Sequence, residues 1–496
     1  MTKKEFTFEV HDNYLEPVGE DWIVYLLRSN WDDFGYKTSF SVMIFSKGRY
    51  ETIGTIKIGT SNSNRLNENG SICIPKEFPY LHSEFFSLGQ DIEFYMNFSK
   101  KIGLNKLSSL NDIILDDRYK PLYQEKSEIF ISSLNRFFSY TTFEQVKRFL
   151  EHKEIYISYG LNFNFKKNKM NFDVVKSRVL PTNLHAIIGA NGVGKTRLLD
   201  SIVKEYAPSL YQEIESEISH TNIEEGNFSR LIYISTSIFS KLYKVSEEIE
   251  FDNNYHYIGF NSVTLVDGSK VKAVSTREDI LEDIFKTVIA CNDLGRIYYL
   301  KIFVENFSFD RNLSTFLEDV LSYLDDLEFM NEDIRQQKDN ELKDNLNKLS
   351  SGHAVVIYMI FKLIHLVEEK AIVLIDEPET HLHPPLLSAF IMSVNDVLRQ
   401  KNALGILATH SPVVLQEIPS ECVWKIYENK IERPTINTFG ENVGIITRDV
   451  FQLELDKSGF AKFIRTLDNS CLPRIEESLG SEALFEYYLR DDIDDD

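Results

Sequence analysis

The sequence predicts an α/β protein: a parallel sheet with helices packed on it, preceded by a β-rich domain. Three observations carry that prediction. First, the apolar run Ala186-Ile187-Ile188 passes directly into Gly189-Ala190-Asn191-Gly192-Val193-Gly194-Lys195-Thr196, and residues 197–203 follow as an amphipathic helix. Second, two later apolar runs, residues 371–375 and 404–408, end in Asp376-Glu377 and in Thr409-His410. Buried strands with polar residues at their C-terminal ends are how open α/β sheets display chemistry. Third, within the first 150 residues, alternating or continuous apolar segments at 21–27, 36–45 and 50–59 are separated by polar turns at 30–35 and 60–70, as in hairpins.

In chain order, residues 1–150 read as a β-rich accessory domain closed by helical segments at 130–137 and 142–152. Its phenylalanines suit a core better than a binding face. Residues 154–165 and 170–179 read as two strands leading to the glycine loop. Tyr156, Tyr159, Phe163 and Phe172 lie there as aromatic candidates for stacking on a base, with packing as the plainer role of each.

The loop itself is G-x-x-x-x-G-K-T. Its glycines allow a backbone that wraps phosphate and aims N–H groups at the oxygens. The following helix N-terminus adds partial positive charge at the same place. Gly189 through Thr196, with Arg197 opening the helix, are the candidate nucleotide-binding residues. Lys195 is placed to reach the terminal phosphates, and the Thr196 hydroxyl to ligate Mg²⁺.

Beyond the loop, residues 206–225 read as a polar insertion, 231–236 as a strand and 262–274 as a hairpin around Asp267-Gly268. Residues 277–288 and 314–327 read as amphipathic helices, and 331–346 as a charged, solvated one. Leu349-Ser350-Ser351-Gly352-His353 opens an apolar helix over 354–367. The strand 371–375 then delivers Asp376, a carboxylate suited to Mg²⁺, and Glu377, placed to polarise an attacking water. Residues 413–418 start a helix, and 423–427 with 434–437 suggest two closing strands before a C-terminal segment ending in RDDIDDD.

Bulk properties limit the function classes. The chain has 496 residues, 43% hydrophobic and 26% charged, with 54 basic and 76 acidic residues for a net charge of −22. Surfaces that grip phosphate backbones are usually basic, so direct DNA contact finds little support, although net charge does not fix where the charges lie. The opening MTKKEFTFEV lacks a signal-peptide core, and the most apolar helix is too short to span a bilayer and carries Lys362 and His365. Cys73, Cys291, Cys422 and Cys471 are far apart with no C-x-x-C pair, which points to a reducing cytoplasm and away from zinc or disulfides.

Four motifs in one order (glycine loop, L-S-S-G-H, I-D-E-P-E and A-T-H-S-P) resemble the ATP-binding cassette ATPases. The run Asp376-Glu377-Pro378-Glu379-Thr380-His381-Leu382-His383-Pro384 is similar to the soluble branch that holds RecF-type and overcoming-lysogenization-defect ATPases and the ATPases of bacterial anti-phage systems. The resemblance covers about residues 155–420. It implies an ATPase core over 151–420 with a helical insertion at about 238–346, and a closing segment with an acidic tail at 421–496. It also implies a head-to-tail homodimer, or a higher even-numbered oligomer, in which Ser350, Ser351 and Gly352 of one copy meet the ATP held by the other. Glu377 would be the general base, His410 the residue that contacts the γ-phosphate, and ATP and Mg²⁺ the cofactors.

Three features depart from the family pattern. Ser235-Thr236-Ser237 stands where a metal-binding glutamine is usual, and Gln212 comes too early. His353 takes the fifth signature position. The H-x-H of His381 and His383 invites a metal, but a place in the loop at the dimer seam explains it better, since no third ligand is evident. Residues 438–442 and 445–451 also resemble the ATPases of the lysogenization-defect type; no metal-binding sheet of the Toprim kind is readable after them, and the D-x-D of the tail reads as a charged terminus. The resulting expectation is an ATP-driven switch or sensor that controls a separate, co-encoded nuclease of HNH or Toprim-like type in anti-phage defence. A stand-alone RecF-like repair ATPase is the alternative, disfavoured by the acidic charge, and a transporter ATPase is further off. No membrane partner and no nuclease activity of the chain's own are expected.

Overall fold

A computed structural model describes residues 6–12, 19–29, 31–116, 118, 121, 127–136, 138–165, 167–176, 178–207, 218–219, 228–237, 244–245, 255–266, 269–327, 330, 332–427, 430–455, 459–466 and 475–490. Gln212, the turn at 267–268, most of the 206–225 insertion and the acidic tail from 491 lie outside them.

The N-terminal part is a six-stranded sheet. It comprises β1 (Thr7–His11), β2 (Ile23–Arg28), β3 (Ser39–Ser46), β4 (Arg49–Thr60), β5 (Glu77–Phe78) and β6 (Phe85–Gly89), in the order β5-β1-β2-β3-β4-β6. β1 and β2 run parallel and the other neighbours antiparallel. One face is covered by helix α1 (Ile92–Lys101) and by Phe130 and Leu134, over a core that includes Phe8, Phe40, Ile56, Phe86, Phe94 and Phe98. Most phenylalanines of this region therefore pack inside, with Phe34 exposed beneath Arg136. A buried ion pair, Lys57–Asp33 at 2.6 Å, sits within it, and Ser133 and Arg136 also reach Asp33. Helix α2 (Tyr140–Leu150), capped by Ser139, follows.

The second part is built on seven strands: β9 (Leu184–Ile188), β11 (Leu231–Ser235), β13 (Tyr255–Gly259), β16 (Ile372–Asp376), β17 (Leu404–Thr409), β18 (Val423–Tyr427) and β19 (Lys430–Glu432), in the order β13-β11-β16-β17-β9-β18-β19. All neighbours are parallel except β18 and β19. Beside the stretch read as core, 151–420, this sheet takes in β18 and β19 beyond residue 420, and within it β13 stands inside the segment read as helical insertion. The second closing strand forms at Lys430–Glu432, not at 434–437.

The central strands β11, β16, β17 and β9 are mostly apolar because both faces are covered. Alternate residues of each strand (Ala186, Ile188, Ile234, Val373, Ile375) join a helical layer. Their neighbours (Ile187, Tyr233, Leu374, Ile406) join the other layer. That second layer is helix α3 (Lys195–Tyr206) with a small antiparallel sheet of β7 (Tyr159–Phe165), β8 (Asn168–Val174) and β10 (Ile218–Ser219). The helical layer holds α4 (Arg277–Asp293), α5 (Leu300–Asn306), α6 (Arg311–Asp326), α7 (Glu332–Asn347), α8 (Ser351–Leu366) and α9 (Pro384–Lys401). β12 (Lys244–Val245), β14 (Asn261–Val266) and β15 (Ser269–Val274) form a separate three-stranded sheet. After β19, helices α10 (Val443–Leu455), α11 (Gly459–Arg465) and α12 (Ser481–Arg490) complete the described residues. Among those residues no helix is long and apolar enough to cross a membrane.

The two parts meet through buried polar groups. Lys401 pairs with Asp91 and lies 3.4 Å from Glu93, Arg296 reaches Asp91 at 3.2 Å, and Tyr299 donates to Glu93. Close by, Ser139 N–H donates to Glu368, Thr141 Oγ1 to the Glu369 carbonyl, and Arg148 pairs with the Glu369 carboxylate.

Candidate functional site

The glycine loop joins β9 to α3. Gly189 has no room for a side chain: a Cβ there would stand 2.2 Å from the Ile426 carbonyl oxygen on β18. Gly194, at φ +101°, turns the chain into α3 in a conformation that favours glycine. Lys195 is buried, and its Nζ donates to the carbonyls of Gly189 (2.8 Å) and Ala190 (3.0 Å), so its charge is folded into the loop it would serve. Thr196 and Arg197 are on the open side, with Asn191 and Gly192.

The parallel register brings the next motif alongside. β17 lies between β9 and β16, pairing Thr409 with Ile188 and Ala408 with Asp376, so all three strands end at one edge. There Thr196 Oγ1 donates to Asp376 Oδ1 at 3.1 Å, and Tyr233 OH to Oδ2 at 3.4 Å. Burial, with the charges of Glu377 and Asp200 beside it, pushes the Asp376 carboxyl up to about 7, against the hydrogen bonds from Thr196 and Tyr233. A buried carboxylate among further acids and a hydroxyl is a place short of positive charge. These oxygen donors fit a hard divalent cation such as Mg²⁺.

Glu377 follows at φ +50°, a backbone conformation uncommon outside glycine. Its N–H bonds the Ala408 carbonyl at 2.9 Å, and its own carbonyl accepts from Thr380 N–H at 3.2 Å. These bonds turn the chain sharply out of the strand and leave the side chain partly exposed at the sheet edge. His410 Nδ1 stands 3.7 Å from Glu377 Oε1 and 3.0 Å from Glu379 Oε1. Glu379 is a residue that sequence reasoning passed over. Its carboxylate also accepts from Thr409 Oγ1 and from His410 N–H, both at 2.7 Å. A second acid two residues past Glu377 was the only signal available for it.

Ser350, Ser351 and Gly352 stand at the start of α8. Ser350 Oγ caps that helix by accepting from His353 N–H at 3.2 Å, and a Cβ on Gly352 would lie 2.8 Å from the His381 carbonyl. Among the described residues their hydrogen bonds run within α8 and none reaches the glycine loop. His353 Nε2 meets Asp310 Oδ2 at 2.9 Å, which ties the motif to the cap of α6. His383 caps α9, its Nδ1 accepting from Leu386 N–H at 3.4 Å. No group of three or more His, Cys, Asp or Glu suited to a metal ion occurs among the described residues.

In the usual place of the metal-binding glutamine, Ser235 Oγ accepts from Ser237 N–H. Thr236 is buried, and its hydroxyl has no hydrogen-bond partner among the described residues. Phe163 and Phe172 are fully buried with rings stacked 5.5 Å apart, so neither has a face left for a base. Tyr159 is committed to the Asn402 carbonyl at 2.7 Å.

Together these residues can hold a triphosphate against β9 and α3, seat a cation on Thr196 and Asp376, and present a carboxylate and an imidazole where the last phosphate would lie. That arrangement matches what phosphoryl transfer to water requires, since such reactions rest on positioning and charge neutralisation.

Residues 297–416, which include the serine–glycine motif, Asp376, Glu377 and His410, match the family described as "AAA domain, putative AbiEii toxin, Type IV TA system". A solved structure titled "An inward-facing conformation of a putative metal-chelate type ABC transporter" covers 59% of this chain and 89% of its own, at 14% identity and a TM-score of 0.29, too low to bear on the fold. Protein ea59 of Escherichia phage lambda is 31% identical over 515 residues, spanning 98% of this chain and 94% of that protein. At that identity and extent, this chain belongs to the family of protein ea59 and carries an AAA-type ATPase domain matched over residues 297–416.

Proposed function

We propose that the protein binds and hydrolyses ATP as a head-to-tail pair and uses the ATP cycle to switch a separate effector, a nuclease, in defence against phage. The observation that carries the catalytic reading is the convergence of Lys195, Thr196, Asp376, Glu377 and His410 at one sheet edge. In this reading Lys195 leaves its loop carbonyls for the β- and γ-phosphates, Glu377 takes a proton from the attacking water, and His410 contacts the γ-phosphate. Mg²⁺, when bound on Thr196 and Asp376, would neutralise charge on the phosphates.

The pairing reading rests on the serine–glycine motif. It stands at the positive end of a 16-residue helix, outside the hydrogen bonds of its own glycine loop, as a group offered to a second copy would. The defence reading draws on the likeness to a phage protein and on a matched family whose description names a toxin system.

The test is to incubate the purified protein with plasmid, single-stranded DNA and tRNA, with Mg²⁺ or Mn²⁺ and ATP. ATP should be consumed while the nucleic acids stay intact, and the product of the neighbouring gene should co-purify. Cleavage that survives further purification and persists in Lys195→Ala would refute the division of labour.

A further inference from the structure

The least expected group at the site is Glu379. It follows Pro378 in the loop that leaves β16; its carbonyl accepts from Leu382 N–H in that loop, while its carboxylate reaches the end of β17, about thirty residues on. One oxygen, Oε1, takes three contacts: Thr409 Oγ1 at 2.7 Å, His410 N–H at 2.7 Å and His410 Nδ1 at 3.0 Å. Thr409 Oγ1 passes the chain on by accepting from Ser411 N–H at 2.9 Å. The carboxylate thus bonds the backbone of His410 and stands beside its ring. The Glu379 side chain is only 9% exposed, and its other oxygen, Oε2, is buried with no hydrogen-bond partner among the described residues. Leaving a carboxylate oxygen so is costly, and such a group is retained where it serves a purpose other than stability. Glu377, by contrast, is 36% exposed, and His410 is 46% exposed. The inner acid grips the histidine, and the outer acid faces the open edge.

We propose that Glu379 is a positioning residue for ATP hydrolysis: by holding Nδ1 and the backbone of His410, it fixes the ring so that Nε2 meets the terminal phosphate. This rests on the ATPase reading above and extends it to a division between two acids of one motif. Glu377 acts on water, and Glu379 acts only through His410. Because the effect is orientation, it enters the rate and not nucleotide affinity. Misplacing a catalytic group by about an ångström can cost on the order of a hundredfold.

The experiment is a double-mutant cycle on the full chain, with ATP affinity measured by calorimetry and turnover by phosphate release. Glu379→Ala should lower kcat by about 10- to 100-fold with KM and ATP affinity little changed. Glu379→Gln, whose amide oxygen still accepts from Thr409 and from His410 N–H, should recover most of that loss. In a His410→Ala background, Glu379→Ala should cause no further loss, because the group it orients is gone. If Glu379→Ala does not fold, Thr409→Ala, which removes one donor and leaves the carboxylate, should slow the wild-type background and not the His410→Ala one. Equal losses in both backgrounds, or full activity of Glu379→Ala, overturn the role of Glu379 and leave the ATPase reading standing. A wild-type chain that binds no ATP and releases no phosphate overturns both.

Discussion

Single side chains decide whether the sheet edge works as a phosphate machine. Lys195 is buried with its amine bonded to two loop carbonyls, so its stem is already ordered and only its head must move to meet phosphate. Lys195→Ala removes charge-assisted bonds each worth about 1.5–3 kcal/mol, so ATP affinity should fall by about a hundredfold or more while the circular dichroism spectrum is kept. Wild-type affinity in that variant would contradict the assignment. Glu377→Gln keeps every binding group and removes only the group that takes the proton. Turnover should fall by about 10²–10⁴-fold with ATP still bound, as read by single-turnover phosphate release beside calorimetry.

The glycine loop, Asp376 and Glu377 are legible in the sequence because their chemistry depends on residues within one strand and one turn. Glu379 is not, because its partners, Thr409 and His410, become neighbours only when β16 and β17 pair. The place of Ser235-Thr236-Ser237 was legible, but that its edge meets Asp376 follows only from the pairing of Ser235 with Asp376.

Among the elements, α8 spans the distance between the serine–glycine motif and helix α2 of the N-terminal part. Ser350 caps its start, and just past its end Glu368 and Glu369 are held by Ser139, Thr141 and Arg148. The neighbouring carboxylates carry a pH signature. Burial, with the charge of Asp91 beside it, pushes Glu93 up to about 8. Burial likewise opposes ionisation of Asp91, but Lys401 and Arg296 prevail and hold it well below the usual range. Burial pushes Glu369 to about 7 despite Arg148 and Asn402.

For Glu93 and Glu369 the folded values lie above the ordinary value of 4.5, so folding favours their protonated forms. Their contribution to stability is complete below about pH 4.5 and is lost as pH rises through 7 to 8. Urea unfolding should therefore show lower stability at pH 9 than at pH 6, with each group adding up to about 1.4 kcal/mol per pH unit across its range. Glu93→Gln should flatten that slope, and an unchanged slope would remove Glu93 as its source.

Strand positions were readable from apolar runs wherever a strand is covered on both faces. The edges were less so. β19 starts four residues before the stretch read as a strand, 434–437, because pairing with β18 fixes it there. β13 sits in a stretch otherwise read as helical insertion, because what makes it a core strand is pairing with β11. The buried ions that join the two parts also escaped the sequence reading, since Asp91 and Lys401 are 310 residues apart.

At the scale of the whole molecule, the claim is that one chain holds a complete nucleotide-binding edge but an incomplete hydrolytic site. The glycine loop, Asp376 and Glu377 belong to one edge, and Ser350–Gly352 stand on another helix with their bonds turned inward to α8. An acidic chain of net charge −22 resists association with itself through long-range repulsion, so pairing should require ATP at the interface and strengthen with added salt. Light scattering of Glu377→Gln should show a shift from one copy to two on adding ATP and Mg²⁺, and none on adding ADP.

The most direct test of the claim is ATP turnover by mixed variants. Ser351→Arg, which places a bulky side chain at the offered face while sparing the glycine loop, should bind ATP and fail to hydrolyse it. Lys195→Ala should fail because it holds ATP about a hundredfold or more weakly. An equimolar mixture should regain activity through heads that combine one intact glycine loop with one intact signature, at no more than one working site per pair. Regained turnover in the mixture is the predicted result. Full activity of Ser351→Arg on its own, or a mixture as dead as its parts, would contradict it.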